Sequence, residues 1–157
     1  LDDLTGLYRR NYFLELIDKQ DKLENEHNNF FILMDINSFK RINDTYGHLV
    51  GDHAIFYFGK VLKTIFPTAL ICRIGGDEFA LYIHNMQKDE IDRLFSDLFE
   101  YLIVNPLITD EIRITLTTSV GATIIHNGFV FNQIYEHVDK LLYLAKRNND
   151  SSIEKDY

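Results

Sequence analysis

The chain has 157 residues, 46% of them hydrophobic, which is the size of one typical domain with enough apolar side chains for its own core. That composition excludes an intrinsically disordered chain. Lys and Arg number 16 against 24 Asp and Glu, a formal net charge of −8 with no run of five basic residues, which argues against a broad DNA- or RNA-binding surface.

Phe13, Leu16, Ile17 and Leu23 recur at helical spacing and predict a first helix. The continuous apolar run Phe30–Ile36 then has strand length and reads as a strand buried on both faces. Ala54, Ile55, Phe58, Val61, Leu62 and Ile65 trace the apolar stripe of a second helix, ended by Pro67. Leu70–Ile74 and Phe79–Ile83 flank the four residues Gly75-Gly-Asp-Glu78, the pattern of a β-hairpin. Cys72, the only cysteine, lies in the first of these runs. It can form no internal disulfide and reads as a small buried apolar residue in a reducing compartment.

Ile91, Leu94, Phe95, Leu98 and Leu102 predict a third long helix, stopped near Pro106. The β-branched stretch Ile112–Ile125 predicts one strand, with Gly121 as a bulge or a point of close approach. Asn127-Gly128 marks a turn, and Ile134, Val138, Leu141, Leu142 and Ala145 define the last helix. The order helix, strand, helix, hairpin, helix, strand, helix describes an α/β (α+β) sandwich with a mixed, largely antiparallel sheet and helices on its faces. With no linker, repeat or membrane-spanning run, residues 1–157 read as one domain. The abrupt start LDDLTGL and the polar end SSIEKDY read as those of a module excised from a longer multidomain protein.

Asp35 ends the most apolar strand, and Asp77 and Glu78 lie in the hairpin turn. If those strands are neighbours, three carboxylates converge at one edge of the sheet. Like charges there raise one another's pKa unless a cation sits between them. Oxygen ligands suit Mg²⁺ or Mn²⁺, and a bound metal would give an acidic protein local positive charge for a nucleotide. Asp77 and Glu78 also read as ordinary turn residues, with Gly75 and Gly76 supplying positive φ. Between Asp35 and Asp52 the chain reads DINSFKRINDTYGHLVGD, a polar segment with two glycines. A backbone turning tightly out of a strand can aim N–H groups at phosphates, with Lys40 beside them. Asn43 and Asp52 match the donor and acceptor edge of guanine. Taken singly, Asp52 also reads as a helix-start acid, Asn43 as a turn former and His48 as a loop residue.

Together these residues resemble the GGDEF domains of bacterial diguanylate cyclases. Gly75–Phe79 spells the GGDEF signature, preceded by Arg73 and Ile74. DINSFKRINDTYGHLVGD is similar to the family's second hallmark segment, and LDDLTGLYRR to its N-terminal D-x-L-T-G-L element. Ser119-Val-Gly121 and Leu142-Tyr-Leu-Ala-Lys146 match later blocks, so the resemblance covers essentially the whole chain.

The resemblance implies the palm-like nucleotide cyclase fold and condensation of two GTP into cyclic di-GMP across an antiparallel homodimer, with two Mg²⁺ (or Mn²⁺) ions per active site. It implies Asp35, Asp77 and the Ile36 carbonyl as metal ligands, and Asp77 as proton acceptor with Glu78 beside it. Asn43 and Asp52 would bind guanine with His48 close by. The backbone of Ser38 and Phe39, with Lys40, Lys146, Gly75 and Gly76, would hold the rest of the substrate. It further implies a cytoplasmic bacterial domain, free of membrane contact, with a sensor or regulatory domain in the same full-length chain.

Three positions depart from the family pattern. Asn37 replaces the second acid of a D-x-D pair. Asn149 and Asp150 stand where the last block carries Gly-Arg, with Arg147 one turn away as the substitute cation. The product-inhibition motif R-x-x-D is here Phe66-Pro-Thr-Ala69, so inhibition by cyclic di-GMP at that site is expected to be absent. The intact signature favours an active cyclase. Asp150 favours a weakly active or inactive GTP-binding module that regulates an attached domain, such as a cyclic di-GMP phosphodiesterase.

Overall fold

A computed structural model describes residues 1–147 and 150–157. Its elements run α1 (Arg10–Asp21), β1 (Asn28–Ile36), α2 (Phe39–Tyr46), α3 (His48–Ile65), β2 (Leu70–Gly75), β3 (Glu78–Met86) and α4 (Lys88–Val104). They continue with β4 (Leu107–Thr109), β5 (Ile112–Ile114), β6 (Thr118–Ile125), α5 (Phe131–Ala145) and β7 (Ser152–Lys155). The main sheet has the order β2-β3-β1-β6-β7. Every neighbouring pair is antiparallel except β6 with β7.

β1 holds the centre because both of its faces are apolar. Phe30, Ile32, Met34 and Ile36 pack with Phe58 and Leu62 of α3 and with Phe95, Leu98 and Leu102 of α4. Phe31 and Leu33 point the other way, into a second core with Phe13 and Ile17 of α1 and Val138 and Leu142 of α5. The alternation of a strand thus turns one continuous hydrophobic run into the floor of two helical layers. Cys72 is buried in the second core, and burial pushes its thiol up to about 12, so it stays an unreactive apolar filler at neutral pH.

Four features differ from the plan drawn on spacing. The segment after β1 is not a loop. Only Asn37 and Ser38 turn, and Phe39–Tyr46 is a short helix of which Ile42 alone is buried, too little apolar surface to register as a stripe. The expected strand at 112–125 is broken. Ile112–Ile114 leaves the sheet to pair with Leu107–Thr109 in a separate ribbon, while Leu116 is buried between the two pieces. The hairpin turn is tighter than four residues, because Gly75 already pairs with Glu78 and only Gly76 (φ 53°) and Asp77 turn. Finally, Ser152–Lys155 forms a strand with one apolar residue, a propensity too weak to announce it. It exists because β6 offers a free edge.

Gly121 makes no bulge, since β1 and β6 pair without a register break. It is a close approach: a Cβ there would lie 2.7 Å from the backbone N of Leu142 and 2.7 Å from the backbone O of Val138. α5 therefore rests directly on the β6 backbone. Gly121→Ala is expected to destabilise the fold by about 1 to 3 kcal/mol, measured by denaturant unfolding, because helix backbone rather than a mobile side chain must move. Among the described residues no helix is long and apolar enough to cross a membrane.

Candidate functional site

Three elements bring the acids together. Asp35 is the penultimate residue of β1 and faces Glu78 of β3 across one pair and Ser119 of β6 across the other. It is only 8% exposed. Burial raises its carboxyl to about 6, with Asp77 and Glu78 pushing the same way, while the hydrogen bond and charge of Lys146 pull against the rise without cancelling it. Lys146 Nζ, at the end of α5, lies 2.5 Å from Asp35 Oδ2. Burial works to lower Lys146, but the Asp35 hydrogen bond and charge outweigh it and raise the ammonium. The other Asp35 oxygen, Oδ1, is buried with no partner.

Asp77 occupies the hairpin turn. Burial raises it as well, opposed by backbone hydrogen bonds at Asp77 itself and at Ile36 and by the charges of Lys146 and Arg73. The turn is anchored through Arg73 of β2: its Nε donates to the Gly76 carbonyl at 2.9 Å, and its Nη1 reaches Asp2, outside the sheet, at 3.2 Å. Asp2 in turn accepts from the Thr5 amide at 2.8 Å and the Thr5 hydroxyl at 2.6 Å. Although burial opposes it, these Thr5 bonds together with Arg73 hold the Asp2 carboxyl below the usual range. The N-terminal LDDLTGL element is therefore the brace of the β2–β3 turn. Sequence reading had no local signal for that link, because Asp2 and Arg73 are 71 residues apart.

A cavity of about 620 Å³ opens beside these acids. Asp35, Ile36 and Asn37 line it from the end of β1, Ser38, Phe39, Lys40 and Asn43 from the start of α2, Gly76 and Asp77 from the turn, and Lys146 from α5. Ser38 sits in the left-handed region (φ 55°), a sparsely populated conformation for a residue with a Cβ. That twist starts α2 directly at the cavity wall, where first-turn N–H groups lack intrahelical acceptors.

Of the residues expected at a site, Gly75, Glu78, His48 and Asp52 do not line the cavity. His48 and Asp52 are exposed on α3. Glu78 shares the sheet face of Asp35 but accepts a 2.5 Å hydrogen bond from the hydroxyl of Tyr135 on α5. Burial and that carboxylate push the Tyr135 hydroxyl far above its ordinary value. The three carboxylates are therefore neighbours without forming a common cage. Among the described residues no group of three His, Cys, Asp or Glu side chains is placed to hold a metal by itself. Tyr135 is a partner of Glu78 that the sequence pattern did not single out. Tyr135→Phe is expected to cost about 1 to 2 kcal/mol of stability by leaving Glu78 without its donor, measured by denaturant unfolding.

The departures Asn37 and Asp150 meet. Asn37 Nδ2 donates to Thr117 Oγ1 at 3.0 Å and to the Asp150 carbonyl at 3.2 Å, and its Oδ1 accepts from Ser119 Oγ at 2.6 Å. An aspartate could not donate those first two bonds, so the amide ties the segment leading into β7 to the rim of the cavity. Asp150 itself is exposed, Arg147 does not line the cavity, and Asn149 lies outside the described residues.

Oxygen-only donors with one buried carboxylate oxygen unpaired fit a hard divalent cation such as Mg²⁺. With two carboxylates in the cavity wall, the remaining ligands would come from water and phosphate oxygens, the usual share for Mg²⁺.

The family model described as diguanylate cyclase, GGDEF domain, matches residues 1–152. The chain belongs to the GGDEF domain family. Probable diguanylate cyclase DgcT of Escherichia coli is 30% identical across 97% of this GGDEF domain and 34% of its own length. Cyclic di-GMP phosphodiesterase PdeR of the same organism is 29% identical across 92% of the domain and 22% of its own length. The domain thus spans 34% and 22% of the length of these two relatives. The crystal structure of the GGDEF domain of DgcB from Caulobacter crescentus, in complex with c-di-GMP, superposes with a TM-score of 0.86 at 25% identity, covering 98% of this domain and 94% of that one. The mixed sheet flanked by helices is accordingly the fold of GGDEF domains.

Proposed function

We propose that this GGDEF domain is a diguanylate cyclase domain that condenses two GTP into cyclic di-GMP and releases two pyrophosphates. The observation that carries this reading is the buried, unpaired Asp35 Oδ1 beside Asp77, in the wall of a cavity that continues along the first turn of α2. Lys146 engages only Oδ2 of this buried acid, so Oδ1, with the carboxylate of Asp77 beside it, is left for a divalent cation.

In this reading the guanine lies against Asn43, with Asp52 and His48 at its outer edge. The triphosphate rests on the backbone of Ser38 and Phe39, on Lys40 and on the Gly75-Gly76 turn. Lys146 leaves Asp35 for a phosphate oxygen when nucleotide enters. Asp35, Asp77 and the Ile36 carbonyl would hold the divalent ions, Mg²⁺ or Mn²⁺, two per site. Such ions, when bound, acidify the attacking hydroxyl and offset charge on the triphosphate. Asp77, raised by burial, accepts the proton of the 3′-hydroxyl as that oxygen bonds to the α-phosphorus of the second GTP. The bond from that phosphorus to the bridging oxygen breaks, and pyrophosphate leaves. Glu78 contributes its charge from the neighbouring pair. Because each domain holds one GTP, two copies face each other as an antiparallel homodimer. A sensor or regulatory domain of the same bacterial cytoplasmic protein brings them together.

The test incubates the domain, dimerised by a fused coiled coil, with GTP and Mg²⁺ or Mn²⁺ and seeks cyclic di-GMP by mass spectrometry. Product formation is expected. GTP binding without turnover in the enforced dimer would favour a second reading, a GTP-binding module that regulates an attached domain, as Asp150 and the likeness to PdeR suggest.

Feedback inhibition is expected to be absent at the usual place. Phe66 is 2% exposed and packs against Phe95, so the position of the motif's arginine is spent on the core. Added cyclic di-GMP should leave the initial rate unchanged through that surface. Potent inhibition with binding mapped to residues 66–69 would overturn this.

A further inference from the structure

We propose that Gly51 sets the base specificity of the cavity, by leaving the space in which the Asn43 amide lies. This rests on the GTP-binding reading above and adds a residue that acts through Asn43. Gly51 is a buried residue in the first turn of α3, and its N–H reaches the Gly47 carbonyl at 3.1 Å. Its φ is not positive, so the backbone there accepts any L residue. A glycine inside a helix is less stable than alanine, because it loses more backbone freedom on folding. Something other than backbone conformation therefore requires it.

The requirement is Asn43. A Cβ on residue 51 would lie 1.8 Å from Asn43 Oδ1 and 2.9 Å from its Cγ, while the next neighbour, Phe39 Cζ, is at an ordinary 3.4 Å. The second glycine of the same helix, Gly59, differs. A Cβ there would meet Leu7 Cδ1 at 3.4 Å, normal packing distance. At Gly51 the conflict comes from one side chain, and that side chain lines the cavity.

Asn43 Oδ1 is buried and has no hydrogen-bond partner. A buried acceptor without a donor is unfavourable and is matched when a ligand brings an N–H. Guanine offers adjacent donors at N1 and its exocyclic amine, whereas adenine offers one amine beside an acceptor nitrogen. The depth at which Gly51 seats the amide thus selects a donor-rich base edge. A site built around such bonds rejects the analogue lacking them.

The packing relation is tested without nucleotide. Gly51→Ala is expected to lower the melting temperature of the natural chain. It is expected to raise it by a few degrees in Asn43→Ala, where the colliding oxygen is gone and only the helix preference of alanine remains. Failure of Gly51→Ala to fold is the extreme form of the expected loss. The same sign in both backgrounds overturns the inference.

The specificity relation is tested by calorimetric titration with the α,β-methylene analogues of GTP and ATP in Mg²⁺. Gly51→Ala should lose about tenfold in affinity for the GTP analogue and most of its preference over the ATP analogue. Gly51→Ala/Asn43→Ala should match Asn43→Ala within about twofold, since the glycine acts only through the amide. A folded Gly51→Ala that keeps the natural preference overturns the specificity role. A natural chain that binds neither analogue overturns the GTP-binding reading instead, and the melting comparison then stands or falls alone.

Discussion

Asp77→Ala is expected to lower cyclic di-GMP formation by the enforced dimer by roughly 10³-fold while leaving the melting temperature nearly unchanged. The separation follows from where Asp77 sits. It belongs to the two-residue turn between β2 and β3 and takes no place in the ladder, which resumes at Glu78. Its side chain is instead in the cavity wall beside Asp35, where burial already raises its carboxyl. Removing it relieves like-charge repulsion in the free chain and deletes both a metal ligand and the proton acceptor of the proposed reaction. Release of pyrophosphate at saturating GTP and Mg²⁺ measures the loss. A variant that retains a tenth or more of the natural rate would sink the assignment of Asp77.

Asp35→Asn is expected to act in opposite directions on stability and on function. The Asp35 carboxyl is raised from 3.8 to about 6 in the fold, so folding favours its protonated form. Its contribution to stability is fully present below about pH 3.8 and is lost as pH rises through about 6. At pH 7 the free chain carries an ionised, buried acid whose desolvation the Lys146 pair only partly offsets. Asparagine removes that burden and forfeits the ion pair. The expected balance is a gain of about 1 to 3 kcal/mol at pH 7 without divalent ions, shrinking towards nothing near pH 4.

Function responds the other way. The natural chain should gain melting temperature on addition of Mg²⁺ with GTP, by the mass action of a ligand that binds only the folded state, and Asp35→Asn should not. Thermal melts at pH 4, 5, 6 and 7, with and without Mg²⁺ and GTP, measure both halves. A variant less stable than the natural chain at pH 7 would show that the Lys146 pair, not the desolvation of Asp35, dominates this corner of the protein.

The same corner shows why some of the protein could be read along the chain and some could not. Phe30–Ile36 and the stripe from Ala54 to Ile65 announce a central strand and its covering helix, because burying a face imposes a period on the residues that form it. Gly75-Gly76 announces the turn, because a reversal that tight needs positive φ, although Gly76 alone adopts it and Gly75 ends β2 as a strand residue. The acids and the amide of the site were also visible as residues, since a polar segment interrupting so apolar a chain is conspicuous. α2, the β4–β5 ribbon and β7 were not visible. Their stability comes from Ile42, Leu116 and the open edge of β6, each a contact with something distant rather than a pattern.

Which acids share the cavity was likewise a tertiary matter. Glu78 reads as the equal of Asp77, yet the ladder places it opposite Asp35 and Tyr135, 57 residues away, claims it. Asn37 reads as a lost acid, yet it clips Thr117, Ser119 and Asp150 together. By itself the sequence determined the layers of the fold, the family likeness and the inventory of polar groups, because these follow from local periodicity and residue type. Only the tertiary structure decided which groups are paired and which are left open, because a hydrogen bond forms between neighbours in space and carries no period along the chain.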